Sequence, residues 1–220
     1  MKGSVLNKYQ KAYERYMQEI KMRSEVISKI AFENSKGGLL TGHIDTDLDM
    51  AYLQGRKICE LIMYACVAAN QASSKQLNSK LKKSYKPAEI KKHLLDINSH
   101  FFPKARDRIG DPDKGPTEVI PSSELHLALD IDELTSFWGK SGDFLHAKRS
   151  ANVPQEKKRE SLAVAVDFLM KVIKLLSHHW IVVDETTQFA VLMQPVDRET
   201  GRALDKVQVG ILKQVAEQSI

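Results

Sequence analysis

Cysteine is scarce in this 220-residue chain, where only Cys59 and Cys66 occur. They stand seven apart in a strongly apolar run, a spacing that builds neither a disulfide framework nor a metal site. They read as small buried hydrophobes in a reducing compartment. Long uncharged stretches are missing too, and the opening Met1-Lys2-Gly3-Ser4 carries no apolar signal region. No membrane span is expected, and the expected location is cytoplasmic. There is no internal repeat, phosphate-binding glycine loop, nucleophile elbow or helix-borne zinc motif. His43, His93, His100 and His126 have no cysteine or acid at a ligand spacing, and the adjacent His178 and His179 diverge. No metal and no cofactor are therefore expected.

What is present is an ordinary core-forming composition, 42% hydrophobic and 28% charged, with a formal charge of +5. That charge favours polyanions without by itself selecting nucleic acid. Residues 6–34 form a predicted amphipathic helix, with Leu6, Tyr9, Tyr13, Tyr16, Met17, Ile20, Ile27 and Ile30 at three- and four-residue steps. Asn34-Ser35-Lys36-Gly37-Gly38 ends it. Its length suits either a dimer contact or one long bundle helix. A second helix over 48–69, capped by Thr46 or Asp47, has a narrow face of small residues that lets another helix approach. It is the expected central helix. Pro87 starts a short helix through Leu94, Leu95 and Ile97. The proline-rich segment from Pro103 to Pro121 reads as a long surface loop. Glu124–Asp130 alternates like a short strand, in competition with a helix starting at Asp130 or Asp132.

The remainder reads as one more helix and a change of period. Residues 155–176 make a strong helix buried through Leu162, Val166, Leu169, Val172, Ile173 and Leu176. Trp180–Val183 and Phe189–Met193 read as a β-hairpin around Asp184–Gln188, with Asp197–Gly201 as a second turn. Val207, Val209 and Ile211 offer a further strand before a short terminal helix or frayed end. The expected class is mainly α: a helical bundle over 1–178 with a small β-hairpin appendage over 179–220.

The candidate chemistry lies in two stretches. Arg56 and Glu60 stand one turn apart on the central helix. Trp138-Gly139-Lys140-Ser141-Gly142-Asp143-Phe144-Leu145-His146 supplies Lys, Asp and His after an aromatic pair. Each residue also has a plain structural reading. Arg56–Glu60 is a helix pair, Asp143 a cap or turn residue, and His146 a cap or core histidine bonded to Asp143. Phe137 and Trp138 read as core rather than as base-stacking platforms.

Gly55-Arg56-Lys57-Ile58-Cys59-Glu60 together with Gly142-Asp143-Phe144-Leu145-His146 resembles the HEPN superfamily over roughly 45–178. These are helical bundles, commonly dimeric, found in toxins, phage-defence systems and RNA-processing proteins. Many are metal-independent endoribonucleases with the active site at the dimer interface. The resemblance implies RNA binding, a homodimer, an antitoxin or defence-system protein as partner, and a catalytic set of His146, Lys140, Asp143, Arg56 and Glu60. His146 would move a proton between the ribose 2′-hydroxyl and the leaving oxygen. Lys140 and Arg56 would stabilise phosphoryl charge, with Asp143 or Glu60 orienting a base or cation. The family's arginine ahead of the histidine is here Lys140, and a lysine cannot make the two parallel bonds of a guanidinium. The sequence therefore also allows a helical assembly or regulatory module that does not cut. Lys80, Lys82, Lys83, Lys86, Lys148 and Arg149 are the candidate nucleic-acid contacts, with a solvated face as the alternative.

Overall fold

A computed structural model describes residues 2–71, 86–109, 118–145, 153–194 and 205–213. Within them lie five α-helices: α1 (Lys2–Ser35), α2 (Ile44–Gln71), α3 (Pro87–Leu95), α4 (Ile131–Phe144) and α5 (Gln155–Leu176). Five strands accompany them: β1 (Lys104–Ile109), β2 (Glu118–Pro121), β3 (His178–Asp184), β4 (Thr187–Leu192) and β5 (Gln208–Lys213). The mainly helical expectation holds.

The apolar stripe of α1 buries Tyr13, Met17, Ile20, Ile27 and Ile30 completely. The helix stops where Gly37 takes φ +80° and the Gly38 N–H reaches back to the Glu33 carbonyl at 3.0 Å. Only glycine enters that left-handed region without steric cost. The chain then returns as α2, antiparallel to α1, with Arg23 bonded to Gln54 and Tyr16 beside Tyr64. Asp47 is not the cap of α2. It is fully buried inside the first turns, and its carboxylate accepts from Leu40 N, Thr41 N and Thr41 Oγ1 at 2.7–3.0 Å. The α1–α2 connection is therefore pinned by an internal carboxylate rather than by a cap.

Helix α2 is central, as its small-residue face suggests, touching α1, α3, α4, α5 and β3. A Cβ on Gly55 would meet the Phe137 ring at 2.6 and 2.9 Å, so the missing side chain is what lets α4 dock. Around that contact four rings form one stack. Phe144 lies 3.8 Å from Tyr52, Tyr52 lies 5.6 Å from Phe137, and Phe137 lies 3.8 Å from Phe168, with interplanar angles of 4–8°. Helix α4 begins at a capping box, in which Asp130 accepts from Asp132 N and Glu133 N while Glu133 bonds back to Asp130 N.

Two expectations fail. The alternating leucines of 124–130 form no strand; Leu125–Leu127 is a single 3₁₀ turn with both leucines about half exposed. The competing reading holds instead: Asp130 caps the next helix, and Ala128 and Leu129 go inward ahead of it. The segment read as a long loop holds β1 and β2, so the sheet is larger than a C-terminal hairpin. Its order is β2-β1-β3-β4-β5, every described pairing antiparallel. Asp184 holds the two-residue β3–β4 turn through Thr186 N and Oγ1. The turn at 197–201 and the end after 213 lie outside the described residues.

The inward set of the sheet (Ala105, His179, Ile181, Val183, Phe189, Val191) is buried against the helices. Strand β5 is fastened to α1 by Gln18, which donates to the Asp205 carbonyl and accepts from Val207 N, both at 3.0 Å.

Candidate functional site

The predicted cluster forms in part, and its geometry is that of a clamp. Arg56 projects from α2 beneath the C-terminal half of α4. Its Nη1 donates to the Trp138 carbonyl at 3.2 Å, and its guanidinium carbon lies 3.9 Å from the centre of the Trp138 ring. Its Nε stands 3.6 Å from Glu60 Oε1. The same Oε1 accepts the Trp138 indole N–H at 3.1 Å, while Oε2 meets Lys57 Nζ at 3.2 Å. Ser141 Oγ shares the Trp138 carbonyl at 2.8 Å. A partly buried guanidinium needs such partners, and here carboxylate, carbonyl and indole together hold it.

Gly142 explains how Arg56 fits. A Cβ there would stand 2.7 Å from Arg56 Nη1, so the glycine makes room for the guanidinium. Each residue turns an α-helix by about 100°. With Gly142 facing Arg56, Lys140 is about 200° round the helix and Asp143 about 100°. Both are exposed. The structure therefore brings Arg56, Glu60, Trp138 and Gly142 together, and it does not bring Lys140 or Asp143 to Arg56. Trp138 serves as a packing and hydrogen-bonding residue. His146, Lys148 and Arg149 lie outside the described residues, as do Lys80, Lys82 and Lys83. Lys86 is described, exposed, and 3.4 Å from Glu89.

Cys59 completes the seam, fully buried with its Sγ 3.6 Å from the Leu134 carbonyl. Burial, and then the Glu60 charge, push its thiol well above the ordinary range, so it is an inert packing thiol. Among the described residues no group of three His, Cys, Asp or Glu side chains is placed to hold a metal ion. No described helix is long and apolar enough to cross a membrane.

Sequence reasoning passed over two other polar arrangements. His179, inward on β3, is fully buried with Nδ1 2.8 Å from the Leu176 carbonyl and Nε2 2.7 Å from Tyr13 Oη. A carbonyl can only accept, so Nδ1 carries the proton and the tyrosine hydroxyl donates to Nε2. Burial lowers the His179 pKa to about 4. Further along, Asn70 on α2 bonds to Asn98, which also reaches the Val182 carbonyl. Both arrangements fasten the helices to the sheet. A cleft of about 350 Å³ also opens between α1 and α5, with Ile20, Val172 and Leu176 among its walls and Lys21, Ser24 and Glu25 at its polar side.

In comparisons with known proteins, the chain matches no family model, no curated protein and no solved structure.

Proposed function

We propose that this chain is a HEPN-like RNA-binding protein that holds RNA without cutting it. Charge segregation is the observation that supports binding. The acids of the helices meet lysines at the seams: Lys91 with Asp132, Lys158 with Asp45, Lys171 with Glu133 and Lys174 with Glu124, all within 2.7 Å. Those pairs neutralise lysine against acid one for one at the seams, while other cations stand in groups on outward surfaces. One is an α1 stripe, where exposed Lys8, Lys11 and Arg15 line a shallow groove with Ser4 and Asn7. Another is β1, with three basic residues in six. No ion pair to any of these six cations occurs among the described residues. Unneutralised cations on an accessible surface are what a phosphate backbone seeks.

The non-cutting part follows from Arg56. In the catalytic reading its guanidinium would grip a scissile phosphate; here it is occupied by Trp138 and Glu60 and has a structural role. The same family reading includes a homodimer, with the outward Met22 and Phe32 of α1 as contact candidates.

Labelled unstructured RNA titrated at two salt concentrations tests the binding, with affinity expected to fall steeply as salt rises. No binding at low salt would overturn it. For cutting, wild type and His146→Ala are compared on unstructured RNA and transfer RNA in EDTA. Identical, background-level cleavage is expected. Cleavage by wild type that His146→Ala abolishes, with unchanged fold, would overturn the non-cutting assignment.

A further inference from the structure

One face of the five-stranded sheet has no described element packed over it. Strand alternation divides the residues cleanly. The inward set is buried by helices, whereas Lys104, Arg106 and Arg108 of β1 point outward with His178, Trp180 and Val182 of β3. The row continues across Ala190 and Leu192 of β4 to Gly210 and Gln208 of β5. Every outward residue is half-buried or exposed.

This face has three properties together. First, its cations are concentrated and unneutralised. Lys104, Arg106 and Arg108 recur at every second residue of one strand, a spacing of about 6.6 Å. No described carboxylate pairs with any of them. The nearest acid on β1, Asp107, points to the opposite face and is occupied by Ser122 and Ser123. The charges are close enough to His178 that Arg108 and Arg106, after burial, hold its pKa below the usual histidine value.

Second, the face carries a flat π surface. The Arg106 guanidinium carbon lies 4.3 Å from the centre of the Trp180 ring. Trp180 Nε1 and Arg106 Nε are both shielded from water and find no acceptor among the described residues. Buried donors are nearly always satisfied, so two side by side mark a place short of acceptor atoms.

Third, space is left beside the indole. Trp180 pairs with Ala190, and Ala190 with Gly210, so side chains shrink across β3, β4 and β5. A Cβ on Gly210 would meet only the Ala190 carbonyl oxygen, at 3.8 Å, so packing within the protein does not require glycine there.

We infer that this open sheet face, built from Lys104, Arg106, Arg108, His178 and Trp180, is a platform for single-stranded nucleic acid. Phosphates lie along the β1 cations and an unpaired base stacks at the Trp180–Arg106 pair, over the shelf left by Ala190 and Gly210. Stacking on aromatic rings and guanidinium planes is how unpaired bases are held, and a paired base presents no free face for it. An acidic peptide would use the cations but would have no use for the stacked pair or the shelf. The inference rests on the RNA-binding reading above and gives it an address different from the helical lysines.

The test uses the full chain and a fluorescent twelve-nucleotide oligouridine at low salt. Three variants change outward side chains only: Lys104→Ala with Arg108→Ala, Trp180→Leu, and Gly210→Val. Thermal unfolding checks that each retains the fold. The double alanine variant should bind more weakly and lower the slope of log K against log salt by about 1.4, two phosphate contacts at about 0.7 each. Trp180→Leu should weaken binding about tenfold without changing that slope. Gly210→Val, β-compatible and filling the shelf, should weaken binding while leaving the midpoint of unfolding intact. Given binding by wild type, three results would overturn the inference: wild-type affinity in all three folded variants, duplex bound as tightly as the single strand, or poly-glutamate of equal charge competing as well as RNA. Wild-type binding with unaffected variants sinks this site alone and leaves the α1 stripe. No binding by wild type removes this site and the RNA-binding reading together.

Discussion

Acid should loosen this fold through one buried imidazole. His179 sits with no exposed surface between the Tyr13 hydroxyl and the Leu176 carbonyl, and both its ring nitrogens are committed in the neutral form. Its pKa falls from 6.5 in the open chain to about 4 when folded, chiefly by burial. A depressed histidine pKa means that the unfolded chain binds the proton first as pH falls. The contribution is complete above pH 6.5 and is lost progressively down to about pH 4. The shift of 6.5 − 4 corresponds to about 3 kcal/mol, of which about 2 kcal/mol is gone by pH 5. Against a whole-domain stability of about 5–15 kcal/mol that is a large share.

Urea unfolding at half-unit steps from pH 7.5 to 4.5 measures it, run in a His178→Gln background. That background is needed because His178 is also depressed, by burial and by Arg108 and Arg106, and adds in the same direction. The comparison is with the Tyr13→Phe/His179→Leu pair, which removes the hydroxyl and the imidazole together; the Leu176 carbonyl loses its donor, a cost that does not depend on pH. The pair should lose most of the slope between pH 6.5 and 4.5. The carboxylates, Asp49 raised by burial and by Asp45 as well as the lowered Asp107 and Asp184, are common to both proteins and cancel in the comparison. Equal slopes in both proteins would refute the reasoning, as would an imidazole resonance of His179 titrating near 6.5 in the folded state.

Two further substitutions probe the helix seam. Gly55→Ala drives a methyl into the Phe137 ring and should cost about 1–3 kcal/mol in urea unfolding; a neutral result would mean that α2 and α4 can separate freely. Lys140→Arg introduces the arginine of the HEPN pattern at a position about 200° round α4 from the side facing Arg56. It should leave EDTA-resistant cleavage at background, and a gain of cleavage dependent on His146 would contradict that placement.

The parts legible in the sequence were those whose burial is one-sided and periodic. Helix α5 spans Gln155–Leu176 as read because Leu162, Leu169, Val172 and Leu176 all go inward. Val166 and Ile173 depart: Val166 is only half-buried, and Ile173 is 40% exposed where α5 borders the cleft beside α1. Strand β1 was hidden because, of the three residues that alternate with its basic ones, only the small Ala105 is buried; Asp107 is hydrogen-bonded and Ile109 is exposed. The visible signal was the inverse one, basic residues at 104, 106 and 108 directly after Pro103. The leucines of 125 and 127 misled for the opposite reason. Alternation describes a strand only when a sheet receives it, and here a 3₁₀ turn leaves both outside.

The same physics separates the arginines of this protein. Arg56 and Arg106 are both partly desolvated and both lie against an indole. Arg56 has a carboxylate within 3.6 Å and a backbone carbonyl at 3.2 Å, so its charge is spent on joining α2 to α4. Arg106 has neither, and burial lowers its pKa instead. A cation left in that state on an open face gains free energy from any anion that arrives, whereas a compensated one must first give up its partners. Sequence spacing drew attention to Arg56 because it stands four residues from Glu60. That pairing is also what withholds its guanidinium from a phosphate, and the absence of such a partner leaves Arg106 and Arg108 available for one.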